Sequence, residues 1–234
     1  HSLVGSEMCI RDSDRSNGTS SDWSAITGAG GNISSATPGD LQSLLSDLDT
    51  IMRPNEDCFH FWSFDHGGNP TWDDSPPTPA TLDAGYLCGW MDATGGYKIQ
   101  DDEFASWVSG IDGYAESYAF GQCFAGDMVD DLNIVSGENR FAAWAAGWFE
   151  PSYGRGWVDA WADGLEAGIR STTELGLYAV QNDLYGPLGH DLEHPGFTGA
   201  NFDLVTNHPI PEPSSVALVG LGAVALVWLR RRRV

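Results

Sequence analysis

Residues 61–68 read FWSFDHGG, so that three aromatic residues lead into an acid, a histidine and two glycines. A second apolar stretch, residues 114–120, leads in the same way into the sequence GQCFAGDM. Short apolar runs that stop at glycine-rich segments are typical of buried strands. One predicted strand, residues 58–64, therefore ends just before His66, and the second ends just before Cys123.

Extended and helical patterns alternate along the rest of the chain. Leucines recur at helical spacing after Asp40, a candidate N-cap residue. Residues 86–108 predict a small hairpin followed by a helix, residues 141–148 a third strand, and residues 157–170 a further helix. Such an alternation predicts an α/β fold with a mostly parallel central sheet. Ligands of these sheets bind at the carboxyl ends of the strands, where His66 and Cys123 are expected.

His66 and Cys123 are a candidate catalytic dyad. A cysteine attacks as the thiolate, and a neighbouring imidazole can accept its proton. Gly67 leaves the backbone beside the histidine open, so the N–H groups of Gly67 and Cys123 are the candidate donors to an oxyanion. Gly126 is expected to allow the tight turn that follows the nucleophile.

The two strand ends resemble those of a known peptidase family. His66-Gly67, together with a later Cys123-x-Ala-Gly-x-Met segment, is similar to the legumain-type branch of the caspase-like cysteine peptidases. The resemblance implies a caspase-like three-layer sandwich over residues 14–208, with the N-terminal strand or strands missing from this sequence. It also implies a peptide or protein substrate, an acyl-enzyme, and no metal or organic cofactor.

The resemblance extends to residues that would contact the substrate. Glu150, Ser152 and Tyr153 match a Glu-x-Ser-Tyr segment that lines the pocket for the first substrate side chain in legumain-type enzymes. Gln122 precedes the cysteine and joins the candidate pocket residues. An acidic tryptophan-containing segment follows, from which Asp159 or Asp163 could reach that pocket, and we retain Asp163. Asparagine, aspartate and a basic residue all remain open at the cleaved position.

Other functions remain open at this stage. The same acyl-enzyme could be resolved by an amine, which would make the protein a transpeptidase. A papain-like arrangement would pair Cys123 with His190 or His194, but it leaves the stretch around His66 unexplained. A surface or biofilm-matrix protein that retains the fold without activity is the non-enzymatic alternative.

Net charge and composition limit the classes of molecule that we expect this protein to bind. The 234-residue chain has a formal charge of −22 and contains ten tryptophans. Its aromatic content is typical of a folded domain rather than a disordered chain. The negative surface would repel a phosphate backbone, so we expect no nucleic-acid partner.

Both ends of the sequence are interpreted apart from the fold. Residues 1–13 resemble translated sequencing adapter and are set aside. Residues 209–234 contain Pro211, Glu212 and Pro213, an apolar stretch at 214–229 and four arginines. This order resembles the PEP-CTERM sorting signal of Gram-negative bacteria. It implies a transmembrane segment held transiently in the inner membrane, recognition by an exosortase, and a final place at the cell surface or in the extracellular matrix.

Cysteines and candidate metal ligands give weaker signals. Cys58 and Cys88 could form a disulfide in an exported protein, which would leave Cys123 as a thiol. Residues 92–103 fit a calcium-binding loop poorly, and a hairpin turn is the preferred interpretation. His190 and His194 lie in a predicted loop without a third ligand at good spacing, so we expect no metal site there.

Overall fold

Two sheets and their covering helices make up the described part of the protein. The computed structural model describes residues 37–54, 56–64, 66–69, 85–92, 95–134, 139–153, 155–186 and 192–204. The strands are β1 (Cys58–Ser63), β2 (Gly67–Gly68), β3 (Tyr86–Asp92), β4 (Gly95–Gln100), β5 (Ala115–Phe120), β6 (Arg140–Trp144) and β7 (Gly196–Gly199). The helices are α1 (Pro38–Ile51), α2 (Asp101–Val108), α3 (Asp127–Asp130), α4 (Gly156–Glu166) and α5 (Thr172–Asn182).

The larger sheet is mostly parallel, as the sequence predicts. Its four strands are arranged in the order β1-β5-β6-β7. Strand β5 pairs in parallel with β1 on one side and with β6 on the other, whereas β7 pairs antiparallel with β6. The register of β1 and β5 runs from Cys58 opposite Ala115 to Ser63 opposite Phe120. The two strands that precede His66 and Cys123 are therefore direct neighbours and end level with each other.

Helices bury both faces of this sheet. Tyr118 and Phe120 of β5 belong to one apolar cluster with Phe104 of α2, while Ala115 and Ala119 belong to the cluster on the opposite face. Every residue of β5 is buried, which is expected of a strand covered on two sides. The chain therefore forms three layers, with α1, α2 and α3 on one side of the sheet and α4 and α5 on the other.

The smaller sheet contains the predicted hairpin. Strands β3 and β4 pair antiparallel, with Asp92 opposite Gly95, and β2 adds to the other edge of β3. Helix α2 starts directly after β4. Asp92 thus ends one strand, residues 95–100 form its antiparallel partner, and residues 101–103 begin α2, which agrees with the hairpin interpretation and not with a calcium-binding loop.

Several element boundaries differ from the prediction. Thr37, not Asp40, is the N-cap of α1, because the Thr37 side chain accepts a hydrogen bond from the Asp40 N–H at 3.2 Å. The predicted strand 141–148 ends at Trp144, where the chain turns away from the sheet. Helix α5 and strand β7 lie in a part of the chain for which the sequence produced no prediction.

The possible disulfide between Cys58 and Cys88 is not formed. Cys58, Cys88 and Cys123 are all thiols in the structure. Cys58 lies on β1 and packs against the apolar cluster under α4, while Cys88 lies on β3 in the other sheet. Burial raises the pKa of the Cys58 thiol to about 11, so that this thiol is a poor nucleophile at neutral pH.

The terminal predictions lie outside the described residues. These are the adapter-like segment 1–13, the sorting signal 209–234 with Pro211, Glu212 and Pro213, and the apolar stretch 214–229. Among the helices of the described ranges, none has the length and apolar character needed to cross a bilayer.

Two leucines on one helix provide a matched test of the packing. Leu175 is fully buried against the sheet, whereas Leu177 on the same helix is 45% exposed. We expect Leu175→Ala to lower the free energy of unfolding by about 2–5 kcal/mol, because it leaves a cavity in the core. Leu177→Ala should change it by about 0.5 kcal/mol or less. Urea titration followed by circular dichroism measures both, and equal effects would contradict the assigned face of α5.

Candidate active site

The ends of β1 and β5 bring His66 and Cys123 to one edge of the sheet. Ser63 and Phe120 are register partners, and each candidate residue lies three positions beyond its own strand end. The chains stay together past the strands, since the Gly121 N–H donates to the Ser63 carbonyl at 2.8 Å. The parallel pairing alone therefore delivers both residues to the same end of the sheet.

Gly67 shows how closely the two chain segments approach. A Cβ atom placed on Gly67 would lie 2.2 Å from the Cys123 carbonyl oxygen and 2.7 Å from the Gln122 Cγ. No side chain fits in that space, so the backbone beside His66 contacts the backbone at Cys123 directly. His66 is exposed and Cys123 is half-buried, as a site that admits a substrate requires.

The strand register gives the Gly67 N–H a direction. The His66 carbonyl accepts a hydrogen bond from the Cys88 N–H at 2.9 Å, and Gly67 is paired with Leu87. Hydrogen-bonded and non-hydrogen-bonded pairs alternate along an antiparallel ladder, so Gly67 and Leu87 form a non-hydrogen-bonded pair. The N–H of Gly67 therefore points away from β3 and is not used in the pairing of β2 with β3.

The turn after Cys123 is strained at a different residue from the one predicted. Phe124 has a φ of 57°, a left-handed conformation that is uncommon for a bulky residue. Its N–H donates to the Glu150 carbonyl at 2.9 Å. Gly126 has a φ of −61°, so its lack of a side chain serves another purpose. A Cβ on Gly126 would lie 2.3 Å from a ring carbon of Trp148.

Gln122 holds the cysteine segment against β1. Its side chain is buried, and Oε1 accepts a hydrogen bond from the Ser63 hydroxyl at 2.9 Å. The Gln122 Nε2 has no hydrogen-bond partner within the described ranges. Both N–H donors of this buried amide group are therefore unused, which is uncommon in a folded protein.

Glu150 joins three segments around the site. Its carboxylate accepts hydrogen bonds from the backbone N–H groups of Gly147 and His194, both at 2.5 Å, and lies 2.7 Å from the His194 Nδ1. Its carbonyl binds the strained Phe124. The structure therefore assigns Glu150 to the support of the turn after Cys123, and it pairs this acid with a second histidine.

Ser152 and Tyr153 lie between Cys123 and a buried acid. The Ser152 carbonyl is 3.6 Å from the Cys123 Sγ, and the Tyr153 N–H donates to the Glu193 carboxylate at 2.9 Å. Glu193 is fully buried, and Asp183 beside it is 2% exposed. This pair of acids was not singled out from the sequence.

Asp163 lies in a separate cleft. It is exposed on α4 and lines a cleft of about 430 Å³ between α4 and α5, whose lining includes neither Cys123 nor Ser152. Asp159 lines the same cleft and forms an ion pair with Arg155 at 3.0 Å. Tyr185 connects the two regions, since its ring lies 6.4 Å from that of Tyr153.

A cluster of three acids lies elsewhere in the fold. The carboxylates of Asp101, Asp130 and Asp131 lie within 4.8 Å of one another. Burial, and then the two neighbouring charges, raise the pKa of Asp101 to about 6. Asp101 already accepts hydrogen bonds from the N–H groups of Gly85 and Asp102. These contacts give Asp101 a structural role at the start of α2.

Comparison with known proteins identifies the C-terminal segment. Residues 209–233 match the family model of the PEP-CTERM protein-sorting motif. The prediction of this sorting signal is confirmed. The motif indicates recognition by an exosortase, export, and a location at the cell surface or envelope. No curated protein matches the chain.

The sequence carried signals for some of the residues that were missed. Glu193 is such a residue, and it lies beside His194 in the segment GHDLEHPG, a predicted loop from which the chain returns to the edge of the sheet. Their partners Glu150 and Asp183 lie at distances along the chain that no local pattern connects. The sequence does not indicate the strained backbone of Phe124, because phenylalanine normally avoids a positive φ.

Substitution at Gly67 tests the backbone contact. We expect Gly67→Ala to destabilise the protein by about 1–3 kcal/mol, because the added carbon overlaps the Cys123 carbonyl. Gly39→Ala is the matched control, since no atom lies within 4 Å of its added carbon. Gly39 is in a helix, so alanine there should be neutral or stabilise by up to about 1 kcal/mol. A Gly67→Ala protein with an unchanged melting temperature would mean that the two segments do not touch.

Proposed function

We propose that the protein is an exported thiol endopeptidase of the caspase-like type, in which Cys123 is the nucleophile and His66 is the general base and acid. The observation that supports this most strongly is the contact between Gly67 and the Cys123 backbone. Neighbouring parallel strands, helices on both faces of the sheet, and the histidine strand beside the cysteine strand are what a caspase-like fold would need. The sorting motif indicates export, which agrees with an enzyme that acts outside the cytoplasm.

The proposed reaction needs only groups of this chain and water. His66 takes the proton from the Cys123 thiol, and the sulfur attacks the peptide carbonyl. The N–H groups of Gly67 and Cys123 hold the oxyanion of the tetrahedral intermediate. His66 returns the proton to the leaving amine, which leaves an acyl-enzyme. Water then attacks the acyl carbon as His66 takes its proton, and the carbon–sulfur bond breaks. His66 returns the proton to the sulfur, which restores the Cys123 thiol, and the carboxylic acid product leaves.

The substrate side chain next to the cleaved bond is expected near Gln122, Ser152 and Tyr153. Gln122 directly precedes Cys123, and the Ser152 carbonyl lies 3.6 Å from the Cys123 Sγ, whereas Asp163 lies in the cleft between α4 and α5. We therefore assign Asp163 no direct part in this pocket. A peptide library that varies the residue before the cleaved bond would define the preference.

A second histidine competes for the role of base. His194 is exposed and has its ring nitrogen 2.7 Å from Glu150, an arrangement that can orient an imidazole. Glu150 also binds Phe124, the residue after the cysteine. Our assignment of His66 depends on the direct backbone contact at Gly67, and substitution of each histidine separates the two candidates.

The function is tested by cleavage and by labelling of the thiol. We expect Cys123→Ala to abolish cleavage of the peptide library, and His66→Ala to lower kcat/KM by about 10²- to 10⁴-fold. His194→Ala should retain kcat/KM within about tenfold, since it removes only support from the turn. If His194→Ala abolishes activity and His66→Ala does not, the base is His194.

Labelling with iodoacetamide, resolved by peptide mass spectrometry, gives an independent readout. Cys123 should react faster than Cys58 at neutral pH, because burial raises the pKa of the Cys58 thiol. His66→Ala should slow the labelling of Cys123 and leave that of Cys58 unchanged. Slow labelling that is indifferent to His66, together with no cleavage, would favour the inactive surface protein. Products joined to an added amine would favour the transpeptidase.

A further inference from the structure

The geometry points to Glu193, backed by Asp183, as a positioning residue of the proposed active site: it holds the Ser152–Tyr153 segment against Cys123 and makes catalysis depend on a buried proton. This inference rests on the proposed function. It assigns a role to two acids that the proposed reaction does not use.

The first step of the argument is the chain of contacts from Glu193 to the sulfur. The Glu193 Oε2 accepts a hydrogen bond from the Tyr153 N–H at 2.9 Å. The carbonyl of Ser152 lies 3.6 Å from the Cys123 Sγ. Glu193 is therefore linked to the nucleophile through a single segment of backbone.

The second step is the proton between the two acids. Asp183 follows α5 and bonds to the side chain of Glu193. The Asp183 Oδ2 and the Glu193 Oε1 are buried, and neither has a partner when both groups are taken as carboxylates. One proton on Glu193, donated to Asp183, satisfies both oxygen atoms at once.

The third step is that no basic side chain within the described part of the chain neutralises the pair. Within the described ranges, no ion pair joins either acid to a lysine or arginine, and Arg155 binds Asp159 at the surface instead. The neighbours of the pair are backbone groups: the Tyr185 N–H donates to Asp183, and the Tyr185 carbonyl accepts from the Glu193 N–H. The pair of Glu150 and His194 lies next along the chain. Gly156, at the start of α4, packs against the Asp183 carboxyl group.

The pH dependence follows from this burial. Desolvation first, and then the hydrogen bond to Asp183, raise the pKa of Glu193 to about 8. The folded protein keeps this proton at a pH at which an unfolded chain has lost it. Stability from the pair is therefore fully present in acid and is lost as the pH rises towards the pKa of Glu193. Above it, two buried negative charges face each other, and the Ser152–Tyr153 segment is released from Cys123.

The Glu193→Gln variant distinguishes a positioning role of Glu193 from a contribution to stability alone. Glu193→Gln keeps an acceptor for the Tyr153 N–H and a donor for Asp183, but it cannot ionise. We expect its kcat/KM at about pH 6 to stay within threefold of the wild type, and its activity to persist above the pH at which the wild type declines. Glu193→Ala should lose at least about tenfold in kcat at every pH, because the segment is no longer held. Glu166→Gln, at the exposed end of α4, is the control and should leave the profile unchanged.

Two results would overturn the inference. One is a Glu193→Gln protein that keeps the alkaline decline of the wild type. The other is a folded Glu193→Gln protein that is as inactive as Glu193→Ala. Thermal unfolding of each variant at about pH 6 shows whether it is folded, and the full-length chain is used throughout.

The labelling rate of Cys123 separates this inference from the proposed function. We compare the Cys123 labelling rate of the wild type with that of the Glu193→Gln variant. The ratio of the two rates should be constant at acidic pH and change by about threefold or more above the pKa of Glu193. If neither the wild type nor any variant cleaves peptides but the ratio of labelling rates changes, the proposed peptidase function is wrong and the positioning role of Glu193 stands. If cleavage requires Cys123 and His66 but neither readout responds to Glu193→Gln, the inference alone fails.

Discussion

The parallel pairing of β1 with β5 is the constraint on which the rest of the site depends. It ends two strands level with each other and sends their continuations along the same edge. The contact between Gly67 and the Cys123 backbone is possible only because the two chains emerge side by side. A shift of the register would move His66 relative to Cys123 by about 3.3 Å per residue, which exceeds the tolerance of a proton transfer.

The chain that follows β6 completes this arrangement from the opposite side. After Trp144 it leaves the sheet, and Glu150 and Ser152 reach the turn that contains Cys123. Glu150 acts through backbone and side chain together, because it binds Phe124 with its carbonyl and two N–H groups with its carboxylate. Cys123 is therefore held by segments that follow three neighbouring parallel strands. Precision of this kind comes from rigid elements rather than from any single loop.

The sequence predicted the elements whose signals are local and missed those whose signals are tertiary. Aromatic runs located β1 and β5, and the spacing of leucines located α1. Helix α5 does have a local signal at its start, because Ser171 is its N-cap and Glu174 follows three positions later, as in a capping box. Strand β7 has too few apolar residues to be recognised by periodicity. The pairing of Glu193 with Asp183 depends on how two loops meet, and nothing within either loop encodes the other.

The distribution of locally unfavourable features argues that this edge of the sheet was selected for more than stability. Phe124 has a backbone conformation that costs of order 1–3 kcal/mol, and each buried polar atom left without a partner costs a similar amount. Among the described residues, the Gln122 Nε2 and the Trp157 Nε1 are such atoms, whereas the inferred proton between Asp183 and Glu193 satisfies the buried oxygens of that pair. A fold retained only as a scaffold would gain stability by losing them, as natural proteins keep such exceptions mainly where they serve a function. Two of these features, the unused amide of Gln122 and the strained Phe124, flank Cys123 directly, and they are therefore consistent with the proposed active site.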